Sequence, residues 1–229
     1  MTGDMNEYQN KLAVLINQYS LQITAATNVV LMPIFALLLK SDNKRRRLQQ
    51  GFAYKLPDKK SIALIGLLGM SAAVSVNAIV SISGLAYFSP KYQQVSQIIY
   101  SGGIFMEIVS AVIAAPILEE LLFRGMIYRR LRDFCNAKLA IIISAVFFGV
   151  FHGNLVQFVY AFIIGLMLAY VYEKMKTIWA PIVFHVGANL LSVLITELIP
   201  QSFLNVPVII SAMAVCLALT VFLLNYVYK

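Results

Sequence analysis

The sequence predicts an all-α membrane protein in which about seven hydrophobic helices cross the bilayer. The 229 residues are 60% hydrophobic and only 12% charged, with a mean hydropathy of +0.80, whereas about a quarter of the residues in a soluble domain are charged. Apolar runs of roughly 20 residues, the length that crosses a bilayer, recur along the chain. Lysines and arginines cluster in alternate loops. We therefore expect residues 1–229 to form a single integral membrane domain in the cell membrane.

The first two predicted spans have different packing requirements. The first covers residues 20–39 and contains Asn28 and Pro33, which a membrane helix tolerates where neighbouring helices satisfy the freed polar groups. The second covers residues 61–88 and is rich in serine, glycine and alanine. Small side chains let helix backbones approach closely, so we expect this span to contact another helix tightly.

The remaining spans carry polar and small residues at helical intervals. The third starts near Ile98 and runs past Glu119 into a basic amphipathic segment, 124–138. Small residues four positions apart occur in the fourth and fifth spans, a spacing typical of closely packed membrane helices. The last four spans cover residues 139–152, 155–172, 178–198 and 207–228, and the small residues are Gly149, Gly153, Ala161, Gly165 and Ala169.

Basic residues lie mainly on one side of the predicted bundle. The loops after spans one, three and five, together with the C-terminus, hold sixteen lysines and arginines, and the opposite side holds only Lys11 and Lys91. Because basic residues accumulate in cytoplasmic loops, we expect the N-terminus outside and the C-terminus in the cytoplasm. The net charge of +8 therefore requires no nucleic-acid partner. The run Lys44–Arg47 is a topology signal for a cytoplasmic loop. A more specific alternative is that this run binds anionic membrane lipids.

Ionisable residues interrupt the third span. Glu119, Glu120 and Arg124 follow a long apolar run, and charged groups at membrane depth mark functional sites by default. Glu120 precedes Arg124 by four residues, the favourable order for an ion pair on a helix. We therefore expect Glu120 to neutralise Arg124 and Glu119 to remain the freer acid. An arginine shared by both acids is the alternative if the helix distorts.

Two further polar pairs lie within predicted spans. Phe148 and His152 are four residues apart, as are His185 and Asn189, so each pair shares a helix face. A rise of about 1.5 Å per residue places these groups and Glu119 at overlapping depths in the cytoplasmic half of the bilayer. We expect them to line one cavity open to the cytoplasm.

These side chains are sufficient for the attack of water on a peptide carbonyl. A carboxylate and a histidine can share a water and remove its proton, while a second histidine and an amide can donate hydrogen bonds to the developing oxyanion. The residues Glu119, His152 and His185 also suit zinc, because three ligands leave a position open for water. The chain has no H-E-x-x-H motif, and spacing does not choose between the two mechanisms.

Three motifs follow one another on separate hydrophobic segments. They read E-E-x-x-x-R at 119–124, F-x-x-x-H at 148–152 and H-x-x-x-N at 185–189. Over about residues 100–195, this pattern resembles the CAAX-processing and bacteriocin-processing (CPBP, Abi or Rce1-like) intramembrane proteases. The segment 100–195 is therefore the expected protease core.

The resemblance implies a role for each motif residue. Glu119 and His152 would activate the water, and His185 and Asn189 would form the oxyanion site. Supporting roles are expected for Glu120, Arg124 and Phe148.

The implied activity is an intramembrane endopeptidase acting on a peptide or protein. Prenylated C-terminal tails and bacteriocin or pheromone leader peptides are the substrate classes linked to such proteases. A glutamate-type mechanism without a cofactor is favoured over a metalloprotease. Two alternatives belong to other classes of protein. One is a non-catalytic immunity or scaffold protein that binds a partner in the same cavity, and the other is a proton or ion pathway.

Overall fold

The computed structural model describes residues 2–50, 55–100 and 102–227, and these residues are almost entirely helical. No β-strand occurs within those ranges, which confirms the predicted all-α class. The predicted basic run Lys44–Arg47 lies outside the residues whose side chains are described. The long helices are α1 (Thr2–Gln50), α2 (Lys59–Ser83), α3 (Pro90–Ile99), α4 (Ile104–Phe134), α5 (Ala137–Phe151), α6 (Leu155–Met175), α7 (Trp179–Leu198) and α8 (Val206–Val227).

Five helices in the described part of the chain are long and apolar enough to cross a membrane. These segments are Gln18–Asp42 within α1, Lys59–Ser83, Leu155–Met175, Trp179–Leu198 and Val206–Tyr226. They match the first, second, fifth, sixth and seventh spans expected from the sequence.

The third and fourth predicted spans differ from the structure. A single helix beginning near Ile98 was expected, but α3 ends at Ile99 and α4 begins at Ile104, with a bend of 106° between them. Gly103 lies in the break with a φ of 76°, a conformation that glycine adopts without strain. The pair counts as a sixth span only if both helices are taken together.

Helix α5 is shorter than an ordinary membrane span. Its 15 residues correspond to about 22 Å at 1.5 Å per residue, less than the roughly 30 Å hydrocarbon core. The structure thus supports five or six spans, and the count of seven is not confirmed. The predicted orientation of the termini remains a prediction.

Helices α2 and α7 pack with their backbones in close approach, as the composition of the second span predicts. A Cβ placed on Gly69 would overlap the carbonyl oxygen of Phe184, and one placed on Gly187 would lie 2.5 Å from the carbonyl oxygen of Gly66. Neither position therefore has room for a side chain. This crossing fixes the part of α7 that carries His185 against α2.

Helices α5 and α6 are also closely packed through small residues. A Cβ on Gly149 would lie 2.9 Å from a ring carbon of Phe158, and one on Gly165 would lie 3.1 Å from a ring carbon of Phe148. The expectation for Gly153 was wrong. This residue follows the end of α5 with a φ of 73° and forms the turn into α6, because a left-handed conformation ends a helix.

The buried core surrounds these two contacts. Its fully buried side chains come from α2, α4, α5, α6, α7 and α8, and include Ile65, Leu68, Phe123, Phe148, Leu168, Phe184 and Leu223. The polar residues predicted as a site lie at the edge of this core.

Candidate active site

The four predicted catalytic residues line one cavity of about 220 Å³. Helix α4 supplies Glu119, the end of α5 supplies His152, and α7 supplies His185 and Asn189. Residues from α2 and α6 complete the wall. The geometry therefore brings together side chains that are up to 70 positions apart in the sequence, between 119 and 189.

Glu120 and Arg124, which do not line this cavity, form the predicted ion pair. Arg124 Nη1 lies 2.7 Å from Glu120 Oε1, and both side chains are 0% exposed. The other terminal nitrogen of Arg124 donates to the carbonyl oxygen of Gly165 at 3.2 Å. Among the described contacts, Glu119 forms no ion pair with Arg124, and its side chain remains 20% exposed. The two adjacent acids thus occupy different environments.

His185 lies between the two acids. Its Nδ1 is 2.9 Å from Glu120 Oε1, whereas its Nε2 is 3.8 Å from Glu119 Oε2, which is longer than a hydrogen bond. Glu120 Oε1 also accepts from Arg124, so Nδ1 of His185 acts as the donor. The second ring nitrogen, Nε2, is then the one directed to Glu119. Sequence spacing did not predict this contact with Glu120.

Phe148 is the aromatic centre of the site. The guanidinium carbon of Arg124 lies 4.5 Å from the centroid of its ring, a distance typical of a cation–π contact. The rings of His152 and His185 pack edge-on against it at centroid distances of 4.9 and 5.8 Å. Phe148 therefore holds the ion pair and both histidines in fixed relative positions.

His152 follows the last residue of α5, where the helix turns towards α6. Its Nδ1 lies 2.8 Å from the carbonyl oxygen of Phe148. Because a carbonyl only accepts hydrogen bonds, Nδ1 carries the hydrogen and Nε2 is the nitrogen free to take a proton. This arrangement suits a histidine that acts as a base through Nε2.

The side chain of Asn189 donates a hydrogen bond to a backbone carbonyl of α4 that lacks a partner within that helix. Within α4, residues 108–114 form a π-helical segment, and the N–H of Ala115 donates to Ser110. Continuation of this pattern would pair residue 116 with Ala111, but Pro116 has no N–H. The side-chain nitrogen of Asn189 donates to Ala111 instead, at 2.8 Å. One of its two N–H groups therefore has a structural partner.

The zinc alternative requires Glu119, His152 and His185 to converge as ligands. Within the described ranges of the chain, no three His, Cys, Asp or Glu side chains lie close enough together to hold a metal ion. The residues of the alternative thus do not fit a zinc site in this arrangement.

Several cavity residues were missed by sequence reasoning. Gln157 and Tyr160 come from α6, and Asn77 of α2 donates to the hydroxyl of Ser192 on α7 at 3.1 Å. The spacing Asn154-x-x-Gln157 before an apolar run is a helix-start signal that could have drawn attention to this segment. Asn77 and Ser192 carry no comparable signal.

A larger cavity of about 380 Å³ shares Asn77 and Ser192 with the first. Its lining is mainly apolar, with two tyrosines, and contains none of the motif residues. The smaller cavity is therefore the candidate active site, because its lining includes a glutamate and two histidines, whereas the described lining of the larger cavity has no acidic or histidine residue.

Comparisons with known proteins identify the same part of the chain. The family model "Type II CAAX prenyl endopeptidase Rce1-like" matches residues 101–191, which contain all three motifs. A curated relative, "Putative membrane peptidase YdiL" of Bacillus subtilis (strain 168), is 38% identical over 84 residues.

The aligned segment covers 37% of this chain and 34% of that relative, so the match spans about a third of the relative's length. No solved structure was found to match the chain. Together with the long apolar helices, the comparisons indicate a multi-pass membrane protein. The resemblance expected from the motifs is confirmed, because residues 101–191 match the model of the Rce1-like family of type II CAAX prenyl endopeptidases.

Proposed function

We propose that the protein is an intramembrane endopeptidase that hydrolyses a peptide bond within the cavity of about 220 Å³. The observation that carries this proposal is the convergence of Glu119, His152, His185 and Asn189 on that one cavity. All four residues lie in the segment that matches an endopeptidase family.

Glu119 and His152 activate the attacking water in this proposal. The water oxygen forms a bond to the carbonyl carbon, and its proton passes to one of these two side chains. Glu119 is suited to the task because Arg124 is already paired with Glu120. His152 is suited because its hydrogen bond to Phe148 leaves Nε2 as the basic nitrogen.

His185 and Asn189 stabilise the oxygen that gains the electron pair of the carbonyl. Asn189 has one N–H left after its bond to Ala111. His185 has donated its Nδ1 hydrogen to Glu120, so it donates to the oxyanion only when Nε2 also carries a hydrogen. The intermediate then collapses with cleavage of the C–N bond, and the leaving nitrogen takes up the proton from the water.

A glutamate-type mechanism is favoured over a metal-dependent one. Glu119 and His152 line the same cavity, which supports direct activation of one water by these two side chains. Glu120, Arg124 and Phe148 act as supports that position Glu119 and both histidines.

The proposed substrate is a peptide or protein that reaches the cavity from the cytoplasmic side. The one-sided distribution of basic residues supports this orientation. Prenylated C-terminal tails and bacteriocin or pheromone leader peptides are the classes to examine first.

The experiment uses purified full-length protein in lipid vesicles with peptides of each class, and products are identified by mass spectrometry. We expect cleavage at a defined bond by the wild type and loss of that product with Glu119→Gln or His152→Ala. Glu197→Gln is the matched control, because Glu197 is exposed near the end of α7 and lines neither cavity. Full cleavage by both site variants would refute the proposal.

A further inference from the structure

A chain of hydrogen bonds runs along the start of α6 towards the cavity. Asn154 precedes the helix, and its side-chain oxygen accepts the backbone N–H of Gln157 at 2.9 Å. The side-chain nitrogen of Asn154 donates to the side-chain oxygen of Gln157. The side-chain nitrogen of Gln157 in turn donates to the hydroxyl oxygen of Tyr160 at 3.1 Å.

This chain gives the Tyr160 hydroxyl a fixed direction. Both polar ends of Gln157 are occupied and the residue is only 6% exposed, so its amide does not rotate freely. The Tyr160 oxygen acts as an acceptor, and its own hydrogen must be donated elsewhere. Within the described part of the chain, no hydrogen-bond acceptor for that hydrogen is seen.

Tyr160 lies in the same cavity as the predicted catalytic residues. It lines the cavity together with Glu119 and His152, and its ring packs edge-on against His152 at a centroid distance of 6.1 Å. Its unused donor is therefore available to a molecule bound there.

His185 and Asn189 have few N–H groups left to donate to a molecule bound in the cavity. His185 has already donated through Nδ1 to Glu120, and Asn189 has donated one N–H to Ala111. An oxyanion is stabilised by several preorganised donors aimed at the position where charge develops. The two side chains assigned to this task contribute at most one further N–H each.

We propose that the Tyr160 hydroxyl donates a hydrogen bond to the oxygen of the scissile carbonyl as this oxygen becomes an oxyanion. Asn154 and Gln157 are the positioning residues that direct the hydroxyl. The phenol keeps its proton throughout, so the step adds stabilisation without changing the proton balance of hydrolysis. This inference rests on the proposed endopeptidase function.

The first test compares Tyr160→Phe with wild type using a peptide that the wild-type protein cleaves. Because the donor acts only on the developing charge, we expect kcat to fall about 100-fold while KM changes less than about 3-fold. Tyr170→Phe is the matched control on the same helix, outside the cavity, and should retain wild-type kcat. Melting temperatures of all variants should agree.

The second test separates positioning from packing. Gln157→Leu should lower kcat about 10-fold in the wild-type background, because the hydroxyl loses its direction, and should have no further effect in the Tyr160→Phe background. If Tyr160→Phe is poorly folded, Gln157→Leu alone decides the question, since it keeps the tyrosine, and a folded Gln157→Leu protein with wild-type kcat would contradict the role.

The outcomes distinguish this inference from the proposed function. If Tyr160→Phe keeps full kcat while Glu119→Gln is inactive, the endopeptidase proposal stands and the role of Tyr160 is refuted. A change in KM alone, or equal effects of Gln157→Leu in both backgrounds, would also contradict the role. If Glu119→Gln and His152→Ala both keep full cleavage, the proposed hydrolysis in this cavity itself fails.

Discussion

His185 donates its Nδ1 hydrogen to Glu120, whose carboxylate also accepts from Arg124, so a histidine of α7 is tied to an ion pair of α4. All three side chains are buried or nearly so. Glu119, the neighbouring acid, lies 3.8 Å from the other nitrogen of the same ring and faces the cavity. Two adjacent glutamates therefore differ in their partners, and their substitutions should have different consequences.

Glu120→Gln should destabilise the protein much more than Glu119→Gln. Removal of one partner leaves the buried Arg124 charge uncompensated, which costs about 3–5 kcal/mol, whereas Glu119 has no comparable ion pair. Unfolding of both variants in the same detergent measures the difference. Equal stability of the two variants would show that the Glu120–Arg124 pair does not hold α4 in place.

Phe148→Leu should lower activity more than Phe147→Leu. Phe148 contacts Arg124, His152 and His185 through its ring, whereas the adjacent Phe147 is 51% exposed on the outer surface of the helix. We expect about a tenfold or larger loss of kcat for the first variant and little change for the second. Similar activities would mean that the ring does not position the histidines.

Asn189→Leu should destabilise the helix that contains Pro116. The half-buried Ala111 carbonyl would lose its donor, which costs about 1 kcal/mol, the lower end of the range for a fully buried unsatisfied acceptor. Pro116→Ala restores an N–H at the position where the π-helical pattern needs one. The destabilisation by Asn189→Leu should therefore be smaller in the Pro116→Ala background, as measured by a double-mutant cycle of unfolding free energies. Additive effects would argue against this explanation of the Asn189 contact.

Gly69→Ala should disrupt folding, and Gly66→Ala should be tolerated. A Cβ on Gly69 would overlap the backbone of Phe184, but a Cβ on Gly66 would lie at an ordinary 3.7 Å from a methyl carbon of Val183. We expect a loss of more than about 3 kcal/mol for the first variant and less than about 1 kcal/mol for the second. Expression and melting temperature check this, and a stable Gly69→Ala protein would contradict the close crossing of α2 and α7.

Much of the fold and the identity of the candidate site could be predicted from the sequence. Apolar runs of sufficient length predicted five spans that the structure supports, and the i,i+4 spacing predicted the ion pair between Glu120 and Arg124. The convergence of three motifs on one cavity was also expected. These features depend on local hydrophobicity and helical period, which a sequence displays directly.

Other features depend on tertiary contacts and could not be predicted in this way. The break before Ile104 and the short α5 changed the span count, since a hydrophobic run does not reveal where a helix bends. The π-helical segments shift the hydrogen-bond register of α4, and this shift explains why Asn189 contacts Ala111. The contact between His185 and Glu120 joins residues 65 positions apart, beyond the reach of any spacing rule.

Glu119 is the side chain proposed to activate water for peptide hydrolysis. The most direct test of this role is the single-turnover cleavage rate of Glu119→Gln beside Glu197→Gln, with both proteins folded and measured in the same vesicles. We predict a loss of at least about 1,000-fold for Glu119→Gln, because the amide cannot accept the proton from water, and wild-type rates for Glu197→Gln. A folded Glu119→Gln protein that cleaves at the wild-type rate would contradict the claim.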